Sequence, residues 1–227
     1  MSKAVRALVL LLSVLAIAVS TLSLASCDRR YDEGEVLSNA TRLLKQAEVL
    51  NEVYYGRGIQ YITTGYRDGN YYEADGIHLS LLGFSTIREL ENMTRETFTK
   101  GYSEQIFDTK LSVIEDSTGI QHMTRYYQRY DAGNVGEPIC IMVYSEPTVS
   151  LTDKIEYDYS SMRVSGVRRQ TVYVTVSAVV TNEEGKSQTR DVRLSLIEED
   201  DGWRIDSPCY VSYSDSLDRY NELENKK

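Results

Sequence analysis

An α+β fold, with N-terminal helices packed on a curved and mainly antiparallel sheet, is what this sequence predicts. Three observations carry that prediction. Val36, Leu37, Ala40, Leu43, Leu44, Ala47, Leu50 and Val53 recur at the three- and four-residue spacing that puts them on one face of a helix. In TVYVTVSAVVTN (171–182), Val172, Val174, Val176, Ala178 and Val180 alternate along the chain, the period of a strand with one buried face. The helical patterns all precede the strand patterns instead of interleaving with them, which favours an antiparallel sheet over a parallel one.

The elements follow in order. The first helix runs from Glu35 to Tyr54, where Gly56 and Gly58 stop it. Tyr61 to Asp75 reads as a polar loop rich in glycine and tyrosine. A short helix over 77–82 takes Asp75 as its cap and Gly83 as its stop. Thr86 and Glu89 form a capping box that opens a helix to about Phe98, with Ile87, Leu90, Met93 and Phe98 as its core face. Gly101 is expected to break that helix, leaving one further turn over Ser103–Phe107. Strand composition then marks 122–130, 140–145 and 154–160, followed by the alternating segments 171–182 and 191–199. In the latter Val192, Leu194 and Leu196 share a face, and Asp201-Gly202 turns the chain into WRIDS (203–207).

The closing stretch DVRLSLIEEDDGWRIDSP (191–208) resembles the end of nuclear-transport-factor-2-like domains, in particular those of lipoproteins from Gram-positive gut bacteria. The likeness is detailed only over these eighteen residues; elsewhere it rests on the order of elements. It implies a domain over 35–213 shaped as a cone, whose open end between helix 1 and the sheet can hold a small ligand or a partner. The same cone serves catalysis, binding and plain scaffolding, so the resemblance bears on fold and leaves function open.

The amino terminus has a separate logic. Lys3 and Arg6 precede an apolar run from Ala7 to Val19, within the ~7–15 residues of a signal-peptide core and short of the ~20 that a spanning helix needs. Leu24-Ala25-Ser26-Cys27 follows, which resembles the bacterial lipoprotein signal: cleavage after residue 26 and diacylation of Cys27. Residues 1–26 are thus expected to be a signal peptide and 27–34 a short tether reaching ~25 Å at most. Two acyl chains hold a protein on a bilayer where one does not. The expected location is the extracytoplasmic face of the cell membrane, and a polar tail over 214–227 ends the chain.

Charge and composition narrow the partners. The chain of 227 residues carries −9, and loss of Lys3 and Arg6 with the signal leaves 23 basic against 34 acidic side chains, or −11. Nucleic acid is a poor partner for such a body, since phosphate binding needs clustered cations. The 18 tyrosines against 3 phenylalanines and 1 tryptophan suit half-wet surfaces, with the ring buried and the hydroxyl on water or a partner. Tyr126, Tyr130, Tyr144, Tyr157, Tyr159 and Tyr173 fall on predicted strands and form the candidate ligand or partner surface. The competing expectation is that these rings simply fill the wide end of a curved sheet.

Other candidate chemistry is thin. His78 and His122 lack companions at metal-ligand spacing. Asp68, Asn70, Glu73 and Asp75 supply oxygens in one loop, but the EF-hand pattern fails at Tyr72 and Glu73. No catalytic residue, metal or cofactor is expected. Cys140 and Cys209 sit in a compartment that permits disulfides; a bridge between them and a pair of free thiols both remain open. The main functional expectation is a non-catalytic binding module directed at a wall component or a cell-wall hydrolase. Extracellular inhibitors of DL-endopeptidases are a similar pairing of helices with a curved sheet, and an acidic body could be steered into a basic hydrolase groove. An isomerase- or dehydratase-type enzyme using the cone is one alternative. It needs an inward-facing base, yet alternation points Asp158, Asp191 and Asp206 to solvent or a strand end. A structural spacer of a membrane complex is the other.

Overall fold

A computed structural model describes residues 31–111, 114–115, 121–122, 124–133, 136–145, 154–182 and 184–209. Cys27, the signal segment and the polar tail lie outside the described residues. The described chain from Glu33 onward belongs to one compact unit.

Helix α1 (Glu33–Tyr54) starts two residues before the expected position, and its stripe is buried from Val36 through Ala40, Leu43, Leu44, Ala47 and Leu50 to Val53. Each fully buried aliphatic side chain there contributes about 2 kcal/mol. Its C-terminal carbonyls are capped from another element. Arg125 donates to Val53 O and Tyr54 O through Nη1, and to Gly56 O through Nη2 at 2.9 Å. Tyr126 Oη donates to Val53 O at 2.7 Å, and a cation at this end also suits the helix dipole. Gly58 makes this possible: its φ is +82°, and a Cβ would stand 2.4 Å from both Arg125 Nη2 and Tyr126 Oη.

The segment expected to be a loop contains a hairpin, β1 (Arg67–Asp68) and β2 (Tyr71–Glu73). Gly69, at φ +58°, occupies the first of its two turn positions, where a type II′ turn requires glycine. Helix α2 (Gly76–Leu82) has the expected ends: Asp75 accepts from Ile77 N, and Gly83 caps at φ +86°. Helix α3 (Ile87–Thr97) opens on the Thr86–Glu89 capping box. Leu90 and Phe98 are buried as expected, Ile87 and Met93 only half so, and Thr94 and Thr97 join the core.

Gly101 does not break the chain. Helix α4 (Lys100–Lys110) runs for 11 residues, with Thr99 capping Tyr102 N. Glycine in a first turn costs about 1 kcal/mol, which burial of Ile106 and Phe107 further along outweighs.

The strands form two four-stranded antiparallel sheets and a small pair, β3 (Ile114–Glu115) with β4 (Gln121–His122). The first sheet has the order β1-β2-β6-β5, with β5 over Tyr126–Tyr130 and β6 over Pro138–Tyr144. The second is the meander β10-β9-β8-β7, with β7 over Lys154–Arg168, β8 over Thr171–Thr181, β9 over Ser187–Glu199 and β10 over Gly202–Ile205. The expected single sheet is divided because β2 pairs with β6, Tyr71 opposite Tyr144 and Glu73 opposite Met142. The overall class is α+β. In the second sheet Val172, Val174, Val176, Ala178, Val180, Val192, Leu194 and Leu196 are all buried, and α1 packs along β7 and β10. Strand β7 steps in register between Asp158 and Arg163 and again between Val164 and Gly166, bulges that bend the sheet.

Candidate functional site

The tyrosines sort into two clusters with different chemistry. The first is a seam between α1 and β7. Glu48 and Asn51 project from one side of α1, three residues apart, and Tyr55 follows just past its end. Tyr157 and Tyr159 face them from β7, sharing that face with Ile155 while Glu156 and Asp158 point out. Tyr159 Oη donates to Glu48 Oε2, and Tyr157 Oη donates to the carbonyl of Cys209. Asn51 Nδ2 donates to Cys209 Sγ at 3.4 Å, and Lys45 lies 5.3 Å over the Tyr159 ring. Burial pushes the Cys209 thiol up to about 11. Tyr159 is also raised, first by burial and then by the Glu48 carboxylate. These polar groups are consumed in holding the seam together.

The second cluster is one face of the first sheet. Directly opposed residues share a face, which places Asp68, Tyr71, Glu73, Tyr127, Arg129, Cys140, Met142 and Tyr144 on the same side. Met142 is fully buried at its centre. The Tyr71 ring meets Tyr127 edge-on at 4.8 Å and Tyr144 at 5.2 Å, and its hydroxyl donates to Thr124 O at 2.5 Å. Tyr127 Oη donates to Asp68 Oδ2 at 2.8 Å; burial and that carboxylate raise its pKa. Tyr66 arrives from the start of the hairpin, its backbone N donating to Glu73 Oε2 at 3.0 Å. Its ring carries the Arg129 guanidinium at 3.5 Å, with the residue 43% exposed. Arg129 makes no ion pair among the described residues. Around the same hairpin Arg67 stands 5.1 Å over Tyr72, which stacks on Tyr61 at 5.0 Å.

The structure thus separates the six sequence candidates. Tyr157 and Tyr159 lie in the seam and Tyr144 on the open face. Tyr126 faces the other way, buried, its hydroxyl also accepting from Ile59 N. Tyr130 is 57% exposed at the end of β5, and Tyr173 lies outward on the second sheet beneath Arg193 at 3.9 Å. Cys140 and Cys209 are not bridged: both are free thiols, Cys140 half-buried opposite Arg129 and Cys209 buried against α1. His78 Nδ1 accepts from Gln60 N at 3.1 Å, and His122 pairs in β4. The carboxylates of 68–75 go to separate partners, Asp75 to the α2 cap. Asp158 accepts from Ser160, Asp191 from Ser177 and Arg163, and Asp206 from Thr99, all at exposed positions.

Sequence reasoning missed Tyr66, Asp68, Tyr71, Tyr127 and Arg129 as a group, and Glu48 and Asn51 on the helix. The signal for the face was present: GYRDGNYYE sets Gly-Asn between two tyrosine-bearing runs, a two-residue hairpin signature. Compared with family models, curated proteins and solved structures, the chain matches none.

Proposed function

We propose that this chain is a lipoprotein anchored through Cys27 on the extracytoplasmic face of the membrane. Its body is a nuclear-transport-factor-2-like cone used for recognition and not for chemistry. The helix α1 laid along a bent antiparallel meander, closed by Trp-Arg-Ile, supports the cone. The apolar filling between α1 and the second sheet supports recognition at a surface in place of an interior pocket. One observation carries the reading: the Arg129 guanidinium sits 3.5 Å over the half-exposed ring of Tyr66, without a carboxylate partner among the described residues, on a chain with an acid excess. A stacked guanidinium keeps its N–H edge available to a ligand while the ring beneath supplies contact area. The ligand of this face is a component of the cell envelope.

The test uses the full-length protein. Metabolic labelling with palmitate is expected to mark the wild type and not Cys27→Ala. Isolated cell-wall sacculi and a detergent extract of membranes are then each incubated with wild type and with Arg129→Ala. Retention by one fraction, lost in the variant, is the expected result. A wild type retained by neither fraction overturns the recognition reading, and an unlabelled wild type overturns the anchor.

A further inference from the structure

We infer that the face bearing Tyr66 and Arg129 binds an uncharged saccharide chain, reading paired hydroxyls between its charged groups. This rests on the recognition reading above and names the ligand class for the same face. Three features of the site select that class. First, its charges are mixed: Arg129 shares one sheet face with Asp68 and Glu73. A polyanion would meet two carboxylates there and an acidic body behind them, and a polycation would meet the guanidinium.

Second, the polar groups are half-used in a way that suits hydroxyls. Asp68 spends Oδ2 on Tyr127 and Glu73 spends Oε2 on the backbone of Tyr66, while Asp68 Oδ1 and Glu73 Oε1 accept nothing from the described residues. Arg129, one side of which also meets the Cys140 thiol, offers planar donors, and these two oxygens offer acceptors. A hydroxyl both donates and accepts through a single oxygen, so one small group satisfies the two kinds at once. Third, the contact surface is aromatic. Tyr66 is 43% exposed, whereas Met142, the aliphatic group at the centre of the face, is fully buried. An apolar side chain finds no open aliphatic slot at that centre, whereas the C–H side of a sugar ring fits on an exposed tyrosine ring. The Tyr61–Tyr72 stack under Arg67 lies on the opposite side of the hairpin and is no part of this face.

The experiment is affinity electrophoresis of the full-length protein through gels carrying a β-1,4-linked N-acetylglucosamine oligomer, or poly(glycerol phosphate). Retardation by the neutral oligomer is expected, unchanged as salt rises to about 1 M, where charges are screened within ~3 Å. Tyr66→Ala and Arg129→Lys are each expected to weaken it about tenfold, because the second keeps the charge and loses the planar fork. Circular dichroism confirms that each variant is folded, and Tyr157→Phe, in the seam, is expected to migrate as wild type. Retardation by the polyphosphate alone, abolished by salt, overturns the inference. So does a folded wild type that no neutral glycan retards. If envelope capture is then still lost in Arg129→Ala, and protease treatment of the envelope removes the captured component, the face recognises a protein. The recognition reading then survives without the saccharide.

Discussion

In the seam the hydroxyls of Tyr157 and Tyr159 end on protein acceptors, whereas on the outer face of the first sheet Tyr66 keeps 43% of its surface exposed beneath a guanidinium with no ion pair among the described residues. Both regions are rich in tyrosine and both have a carboxylate within reach. The difference lies in who satisfies the polar groups. A tyrosine whose ring and hydroxyl are both consumed internally is a fastening; one whose ring is open beside a cation without an ion pair and half-used carboxylates is available for binding. Residue type alone does not separate the two.

The separation can be broken by mutation. Tyr157→Ala combined with Tyr159→Ala removes two half-buried rings and leaves Glu48 and the Cys209 carbonyl without their donors. The expected loss is about 3–5 kcal/mol of unfolding free energy, read from the urea midpoint. Tyr66→Ala is expected to lower the unfolding free energy by less than about 0.5 kcal/mol while weakening binding about tenfold. If the two variants exchange effects, the assignment of fastening and binding regions is reversed.

Alkaline titration sharpens the seam further. The Cys209 thiol is held at about 11 against an ordinary 9.0, so the folded chain keeps a proton that the unfolded chain releases. Stability from this group is whole below pH 9 and falls as pH rises towards 11, by about 3 kcal/mol in all. Urea melts at those two limits measure the fall. Cys209→Ala is expected to start lower and to lack that part of the slope, the tyrosine contribution being common to both proteins. An unchanged slope would place the thiol in contact with water. A small effect also belongs to Tyr127→Phe, which removes an exposed bond to Asp68 and is expected to cost about 0.5 kcal/mol by the same melts.

Much of the scaffold was legible in the sequence for a common reason: local signals and tertiary packing agree there. The α1 stripe, the Thr86–Glu89 box, the Asp75 and Gly83 caps and the alternation of β8 each describe a single segment whose buried face is written in its own period. Two misreadings came from glycine. Gly101 reads as a breaker in isolation, yet burial further along α4 outweighs its cost; Gly69 reads as part of a loop, yet it supplies the positive φ of a hairpin. The candidate face was harder to read because it joins β1, β2, β5 and β6, and nothing local to Arg129 indicates that Tyr66 will lie under it. The same holds for Tyr126, whose burial follows from the exposed carbonyls at the end of α1, a feature of the partner helix and not of β5.

The bent course of β7 has one more consequence. Its flank away from β8 would, in a straight strand of 15 residues, display an uninterrupted row of amides and carbonyls onto which another chain could zip. The register step between Asp158 and Arg163 interrupts that row midway, and Lys154, Glu156, Asp158 and Arg163 place charges along it. An edge broken and charged in this way is a poor template for a second strand.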